Sequence, residues 1–312
     1  MRASPPAAPF FAPLAEWFND RAWLLLVFTT LIWGANAVAA RLAVGEASPM
    51  FVTAARWIVC CAALGLTARR EIATHWRTLL PHWRFVALMG GLGFTGFNAL
   101  FYTAAHHTTA INIAIIQGTI PVLVLLGSVW VYRTRITALQ IIGVAVTLAG
   151  IVVIAAQGQF SRLAQFSFNI GDIWMVIASL LYSFYALGLR RRPAVPAIVF
   201  FAATALVASL VSLPLLAAEV AMGNFIVPTA KGVLLVLFIG LLPSYVSQLT
   251  FIRAVTLIGP ARAGVYLNLV PVFGPLLAVL VLGEPLSAYH ALALALVLGG
   301  IWIAEYLGAR KP

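Results

Sequence analysis

A handful of residues in this chain have side chains that could do chemistry, and nearly all of them interrupt long apolar runs. Trp33, Asn36, Asn98, Tyr182, Tyr185, Tyr245, Gln248 and Tyr266 place amides and aromatic rings among Leu, Val, Ile and Ala. The chemistry these groups suit is recognition. Amides bind either charged end of a zwitterion, and ring faces accept an apolar body or an ammonium. Arg56 lies about a third of the way into an apolar run. It could hold a carboxylate, but snorkelling or a pair with Glu46 is the simpler reading. Asp172 and Glu305 read as interfacial charges, and His106 and His107 as loop residues. Catalysis finds no constellation here. Two adjacent histidines make no site, no His and Cys spacing suits a metal, and no Gly-rich loop with Lys suits a phosphate. The reading is therefore not an enzyme, with no cofactor and no metal. Cys60 and Cys61 are neighbours in an apolar run and point apart on a helix, so they are not expected to form a structural disulfide.

The elements that position these groups must lie in lipid. Charged residues make up 9% of the 312-residue chain and hydrophobic ones 63%, against about 25% and 45–50% in soluble domains. So few charges cannot cover a surface facing water. A crossing takes about 20 apolar residues, and in lipid each backbone group must be satisfied within a helix or a closed barrel. The apolar runs are too long and too continuous for barrel strands. The expected fold is all-α and polytopic, with about ten spans. They are read at 22–43, 49–68, 84–105, 109–131, 137–156, 171–189, 195–218, 230–252, 261–282 and 288–307. The segment 69–84 reads as a basic linker and 157–170 as a polar one. Residues 1–21 read as a Pro-rich tail that lacks the order of a signal peptide, and 309–312 as a second tail.

The net charge of +11 is a topology signal. With the N-terminus in the cytoplasm, fifteen of the nineteen Lys and Arg residues fall on the cytoplasmic side. Only Arg41, Arg162 and Lys231 fall opposite, and Arg56 lies within a span. Basic residues are retained on the cytoplasmic side, so both termini are expected there. The partner of this basic face is anionic lipid, with no nucleic acid required.

The chain also repeats itself. Residues 101–151 lie on 251–301 at an offset of 150 with no gap, so Pro121 meets Pro271, Gly150 meets Gly300 and Ile151 meets Ile301. LIWGANAVAAR (31–41) lies on LLYSFYALGLR (180–190) in nearly the same register. The registers pair Trp33 with Tyr182, Asn36 with Tyr185, Thr95 with Tyr245 and Asn98 with Gln248. Residues 22–156 thus form a first five-span repeat and 171–308 a second, with 157–170 as the linker. An odd number of spans per half inserts the halves upside down relative to each other, a plan shared by many secondary transporters.

The segments LIWGANAVAARLA, GDIWMVIASLLYSFYALGLRR and LVPVFGPLLAVLVLGEPLSAYHALALALVLGGIWIA resemble the paired EamA domains of the drug/metabolite transporter superfamily. The first half departs from the pattern, since Tyr132-Arg133-Thr134-Arg135 has no acidic match to Glu284. The resemblance implies a multi-pass protein of the bacterial inner membrane that exports amino acids, aromatic ones included, or similar small metabolites. Its solute would sit between the halves, against the eight polar and aromatic residues named above. Gly93, Gly96, Pro121, Pro243 and Pro271 would serve as gates or hinges, because proline bends a helix. Contacts of about 1 kcal/mol each are expected, without a strong buried ion pair. Efflux of drugs or cationic compounds is the alternative within transport, and a non-transporting membrane scaffold the alternative outside it. The oligomeric state is open, a monomer included.

Impermeant thiol labelling tests the orientation. A cysteine placed at Ser161 should react from outside the cell, and one placed at Arg191 should be spared. The reverse pattern overturns the topology.

Overall fold

The computed structural model describes residues 20–133, 135–157, 169–259, 263 and 266–304. Glu305, Arg162, Arg262, most of the 157–170 linker and nearly all of both tails lie outside the described residues. Among those described, seven helices are long and apolar enough to cross a membrane: Ala22–Leu42 (span 1), Pro49–Thr67 (span 2), Arg69–Ala104 (which contains span 3), Ala110–Tyr132 (span 4), Ile170–Arg191 (span 6), Ala197–Ala221 (span 7) and Ala230–Ile258 (span 8). Three shorter apolar helices complete the set: Ala138–Ile154 (span 5), Tyr266–Leu282 (span 9) and Ala288–Trp302 (span 10). The protein is an all-α polytopic membrane protein built as two inverted repeats.

The starts of spans 4, 6 and 8 are satisfied by side chains, as suits a low-dielectric surround. Thr109 Oγ1 accepts from the Asn112 N–H at 3.1 Å, Asn169 Oδ1 from Gly171 at 2.8 Å and Thr229 Oγ1 from Gly232 at 3.0 Å. Glu284 caps across the halves. Its carboxylate accepts from the backbone N–H of Ala110 at 2.9 Å and of Ile111 at 3.1 Å, at the start of span 4. That is a favourable seat for a negative charge, and it gives the lone acidic turn residue a structural task.

The segment read as a basic linker is a helix, Arg69–Leu79, which runs through a short 3₁₀ turn into span 3. The charges that suggested a loop lie on one side, while Leu79 is buried and Ile72 packs against the core beneath it. A one-sided basic helix beside a membrane end lies along the interface rather than crossing it.

Spans 4 and 9 are broken. Span 4 is helical over Ala110–Gln117, interrupted at Gly118 and Thr119, and helical again from Ile120. Span 9 has a 3₁₀ turn over Tyr266–Leu269 before its α-helix starts at Val270. Pro121 and Pro271 therefore sit in the first turn of a new helix, where the missing N–H costs little, and not in mid-helix as expected from sequence. Spans 3 and 8 carry matching π-helical segments, Met89–Gly96 and Gly240–Val246, the second containing Pro243. The αL residues at the ends of the helices of spans 4 and 9, Arg133 (φ 51°) and Gly283 (φ 66°), also stand 150 positions apart. The backbone thus keeps the repeat at positions where the residue types have diverged.

Packing runs mainly between the halves. Span 1 packs on spans 8 and 9, and span 6 on spans 3 and 4; span 2 packs on span 8, and span 7 on span 3. The pairs 2 with 7, 4 with 9 and 5 with 10 are their own symmetry mates. Exchanging the repeats maps this set of pairs onto itself, which defines a pseudo-two-fold axis. The contact between spans 5 and 10 depends on small residues, as membrane packing often does. A Cβ on Gly300 would lie 2.5 Å from the Gly143 carbonyl and 2.6 Å from the Thr147 nitrogen, while one on Gly299 would meet nothing within 4 Å.

Gly300→Ala should therefore destabilise the protein by about 1–3 kcal/mol. Gly299→Ala should be neutral or stabilising by up to about 1 kcal/mol. Thermal unfolding in detergent separates the two variants; equal melting temperatures would contradict the packing described.

Candidate functional site

The site is best built from its most demanding residue. Arg56 lies on span 2 with 5% of its surface exposed. Burying a guanidinium costs several kcal/mol unless its donors are met. Nε donates to Ser244 Oγ at 2.9 Å, and Nη1 donates to Asn98 Oδ1 at 2.5 Å and to the Tyr102 hydroxyl. Tyr102 in turn donates to Asn36 Oδ1 at 3.0 Å. The π segments place two of these partners. Ser244 lies in the span 8 segment and donates to the Ile239 carbonyl five residues back at 2.8 Å. Asn98 directly follows the span 3 segment and donates to the Phe94 carbonyl at 2.6 Å. The Arg56 Cζ lies 5.2 Å from the Trp57 ring centre and 5.5 Å from that of Tyr102, in cation–π range.

Arg56 neither snorkels nor pairs with Glu46. Glu46 instead accepts from the Thr229 hydroxyl and from Lys231 Nζ at 3.1 Å. Those two partners hold its carboxyl below the usual range. Among the described residues no carboxylate forms an ion pair with Arg56; the two ion pairs seen are Lys231–Glu46 and Arg253–Asp20.

A cavity of about 100 Å³ adjoins this network between the halves. Trp33, Asn36, Arg56, Trp57, Phe94, Phe97, Asn98, Gln117 and Pro121 line it from the first half. Tyr182, Pro243, Ser244, Gln248, Leu267 and Val270 line it from the second. Its aromatic wall is ordered by ring contacts. Trp57 stacks on Phe94 at 4.5 Å and 11°, and Phe97 meets Tyr182 at 5.1 Å. Trp33 Nε1 donates to Ser247 Oγ at 2.7 Å, tying span 1 to span 8. Gln117 Oε1 is buried without a partner.

Of the eight residues singled out in the sequence, Trp33, Asn36, Asn98, Tyr182 and Gln248 reach the cavity. Three stand apart from it. Tyr185 is behind the wall, its ring 4.8 Å from Phe94 and 5.5 Å from Tyr182. Tyr245 points away, donating to Thr67 Oγ1 at 2.7 Å. Tyr266 packs beside the cluster of Leu25, Leu26 and Ala254. Ring type and repeat register named these tyrosines, but their side chains pack against other neighbours. The sequence offered Arg56 as a carboxylate holder beside the simpler readings of snorkelling or a Glu46 pair, and gave no pointer to Trp57 or Ser244 at the site. Only Arg56 left a signal, as an ionisable group deep within a span.

Of the five residues read as gates, Pro121 and Pro243 line the cavity and Pro271 abuts its edge. A Cβ on Gly118 would lie 2.7 Å from Pro271 Cγ, so spans 4 and 9 touch at their break points. Gly93 and Gly96 are seats for large side chains. A Cβ on Gly93 would fall 2.6 Å from Tyr185 Cγ, and one on Gly96 would fall 3.0 Å from Leu181 Cδ1.

The two parts of span 4 differ in burial. Ala110 to Ile116 of span 4 are all buried, whereas Ile120–Tyr132, toward the Arg-rich face, buries only Val122. The opposite face is also tied by polar links. Asp172 accepts from Thr108 Oγ1 at 2.5 Å and from Asn112 Nδ2 at 3.2 Å, and Arg41 donates to the Ala105 carbonyl at 2.7 Å. Glu219 Oε1 accepts from the Met50 N–H at 3.2 Å.

Comparisons with known proteins agree with this architecture. The profile of the EamA-like transporter family matches residues 21–156 and 169–306. The uncharacterized transporter YyaM of Bacillus subtilis (strain 168) is 22% identical over 291 residues, covering 91% of this chain and 93% of that protein. The uncharacterized inner membrane transporter YedA of Escherichia coli (strain K12) is 25% identical over 288 residues, 90% of each. A solved crystal structure shares the fold with a TM-score of 0.65 at 22% identity, over 93% of this chain and 99% of that one.

Proposed function

The chain belongs to the EamA-like transporter family, and from that premise we propose that it exports amino acids, aromatic ones included, or similar small metabolites by alternating access. The observation that carries this reading is the cavity at mid-membrane depth, walled by both repeats with aromatic rings, amides and a cation. A transporter needs one site that both halves touch, so that a solute senses their relative movement. The symmetric packing pairs support the second requirement, two states of similar energy. Exchanging the conformations of the halves turns a form open on one side into a form open on the other.

In this reading the Arg-rich face is cytoplasmic and the membrane is the bacterial inner membrane. The buried plug of span 4 and the links at Asp172, Glu219 and Glu284 close the outer mouth. The described form is then open to the cytoplasm, ready to load. The broken spans at Pro121 and Pro271 and the π segments at Gly93, Gly96 and Pro243 are the places where a helix can flex without losing a full turn of hydrogen bonds. Drug or cation efflux fits less well, because among the described residues no Asp or Glu lines the cavity to offset a cationic solute. A scaffold without transport would pack its midplane solid.

Counterflow of labelled phenylalanine in proteoliposomes tests the proposal. Trp33→Ala, Asn98→Ala and Gln248→Ala should each cut flux about tenfold or more while the protein remains inserted, as loss of one contact of about 1.4 kcal/mol would. Pro121→Ala or Pro271→Ala should slow flux more than it weakens binding. Unchanged flux in all five variants would remove the central site.

A further inference from the structure

We propose that Arg56 is the anchor for a carboxylate on the solute, and that an ammonium group on the solute is dispensable. This deepens the transport reading and rests on taking the central cavity as the solute site. The argument begins with donors. Nε and Nη1 of Arg56 are fully engaged by Ser244, Asn98 and Tyr102, while among the described residues the pair of N–H groups on Nη2 meets no acceptor. Nη2 is also absent from the enclosed atoms left without partners, so it keeps access to open space, and Arg56 lines the cavity. Trp57 and Tyr102 lie within cation–π range and hold the guanidinium in place.

The second part is charge. Every protein partner of Arg56 is neutral, and no carboxylate among the described residues pairs with it. Among the described residues the cavity lining holds this cation and neither Asp nor Glu. A solute that brings a carboxylate completes the pair with charge-assisted hydrogen bonds, the strongest kind available at this depth. An ammonium finds only ring faces and neutral amides, such as the unpartnered Gln117 Oε1. A cation without a carboxylate meets the Arg56 charge with nothing to offset it. The favoured solute class is a carboxylate with an apolar or aromatic body, and zwitterionic amino acids qualify through their carboxylate.

The test uses three related probes on the purified full-length protein: phenylalanine, 3-phenylpropanoate, which lacks the amine, and phenethylamine, which lacks the carboxylate. Calorimetry reads direct binding, and counterflow of labelled phenylalanine in proteoliposomes reads transport. Both acids should bind within about tenfold of each other, and the amine about a hundredfold more weakly or not at all. Arg56→Gln should weaken both acids by about 10- to 100-fold and leave the amine unchanged, with Arg56→Lys between. Should Arg56→Gln fail to fold, the three probes on the unmodified protein decide alone. Binding of phenethylamine as tight as that of 3-phenylpropanoate overturns the anchor, while exchange of labelled phenylalanine would leave the transport reading standing. Arg56-dependent binding of 3-phenylpropanoate without phenylalanine exchange sinks the amino-acid reading and keeps the anchor. No binding of any probe sinks both.

Discussion

A charged guanidinium held at membrane depth is the constraint around which this structure is arranged. Arg56 must be met by acceptors, because lipid supplies none there. Its acceptors come from span 3, through Asn98 and Tyr102, and from span 8, through Ser244. Those two spans occupy equivalent positions in opposite repeats, so one residue of span 2 fastens both halves at the same depth. The π segments belong to the same arrangement. A π turn releases one side chain from the regular register, and here it directs Ser244 at the guanidinium. The cost of burial is thus met mainly by geometry that also shapes the cavity.

In the proposed transport cycle, symmetry is what would let such a site move. Each of the main pairs of spans packed across the halves has a counterpart generated by exchanging the repeats. The links on one face break that symmetry, and they are polar: Glu46 with Thr229 and Lys231, Asp172 with Thr108 and Asn112, Glu284 with the start of span 4. Polar links can be exchanged for water when a mouth opens, at a net cost of about 0.5–1.5 kcal/mol for each hydrogen bond. A plug made only of interdigitated Leu and Ile would lack that release. The Arg-rich half of span 4 buries Val122 alone and packs along span 6.

Much of this was legible in the sequence, and the parts that were not share a cause. The span count, the repeat and the inversion rest on long runs of apolar residues and on the match of Pro121 with Pro271, which leave strong one-dimensional signals. Trp33, Asn36, Asn98, Tyr182 and Gln248 were found because polar groups stand out in apolar runs. Tyr185, Tyr245 and Tyr266 stand out equally, yet the direction each side chain faces decides between cavity, wall and outer contact, and that is set by packing partners far along the chain. Arg56 was visible as a buried cation, but its partners are 42 to 188 residues away, so proximity in sequence pointed to Glu46 instead. The helix at Arg69–Leu79 was hidden because a charged amphipathic helix at an interface has the composition of a loop.

The central claim is that the space between the halves is an open solute site and not a packed seam. The most direct measurement is thiol accessibility at position 248 in a protein otherwise free of Cys60 and Cys61, reconstituted in oriented membranes. An impermeant reagent should modify Gln248→Cys from the Arg-rich face, and saturating phenylalanine should slow that modification. Absence of modification from either face, with the protein folded and inserted, would show a sealed interior and contradict the account.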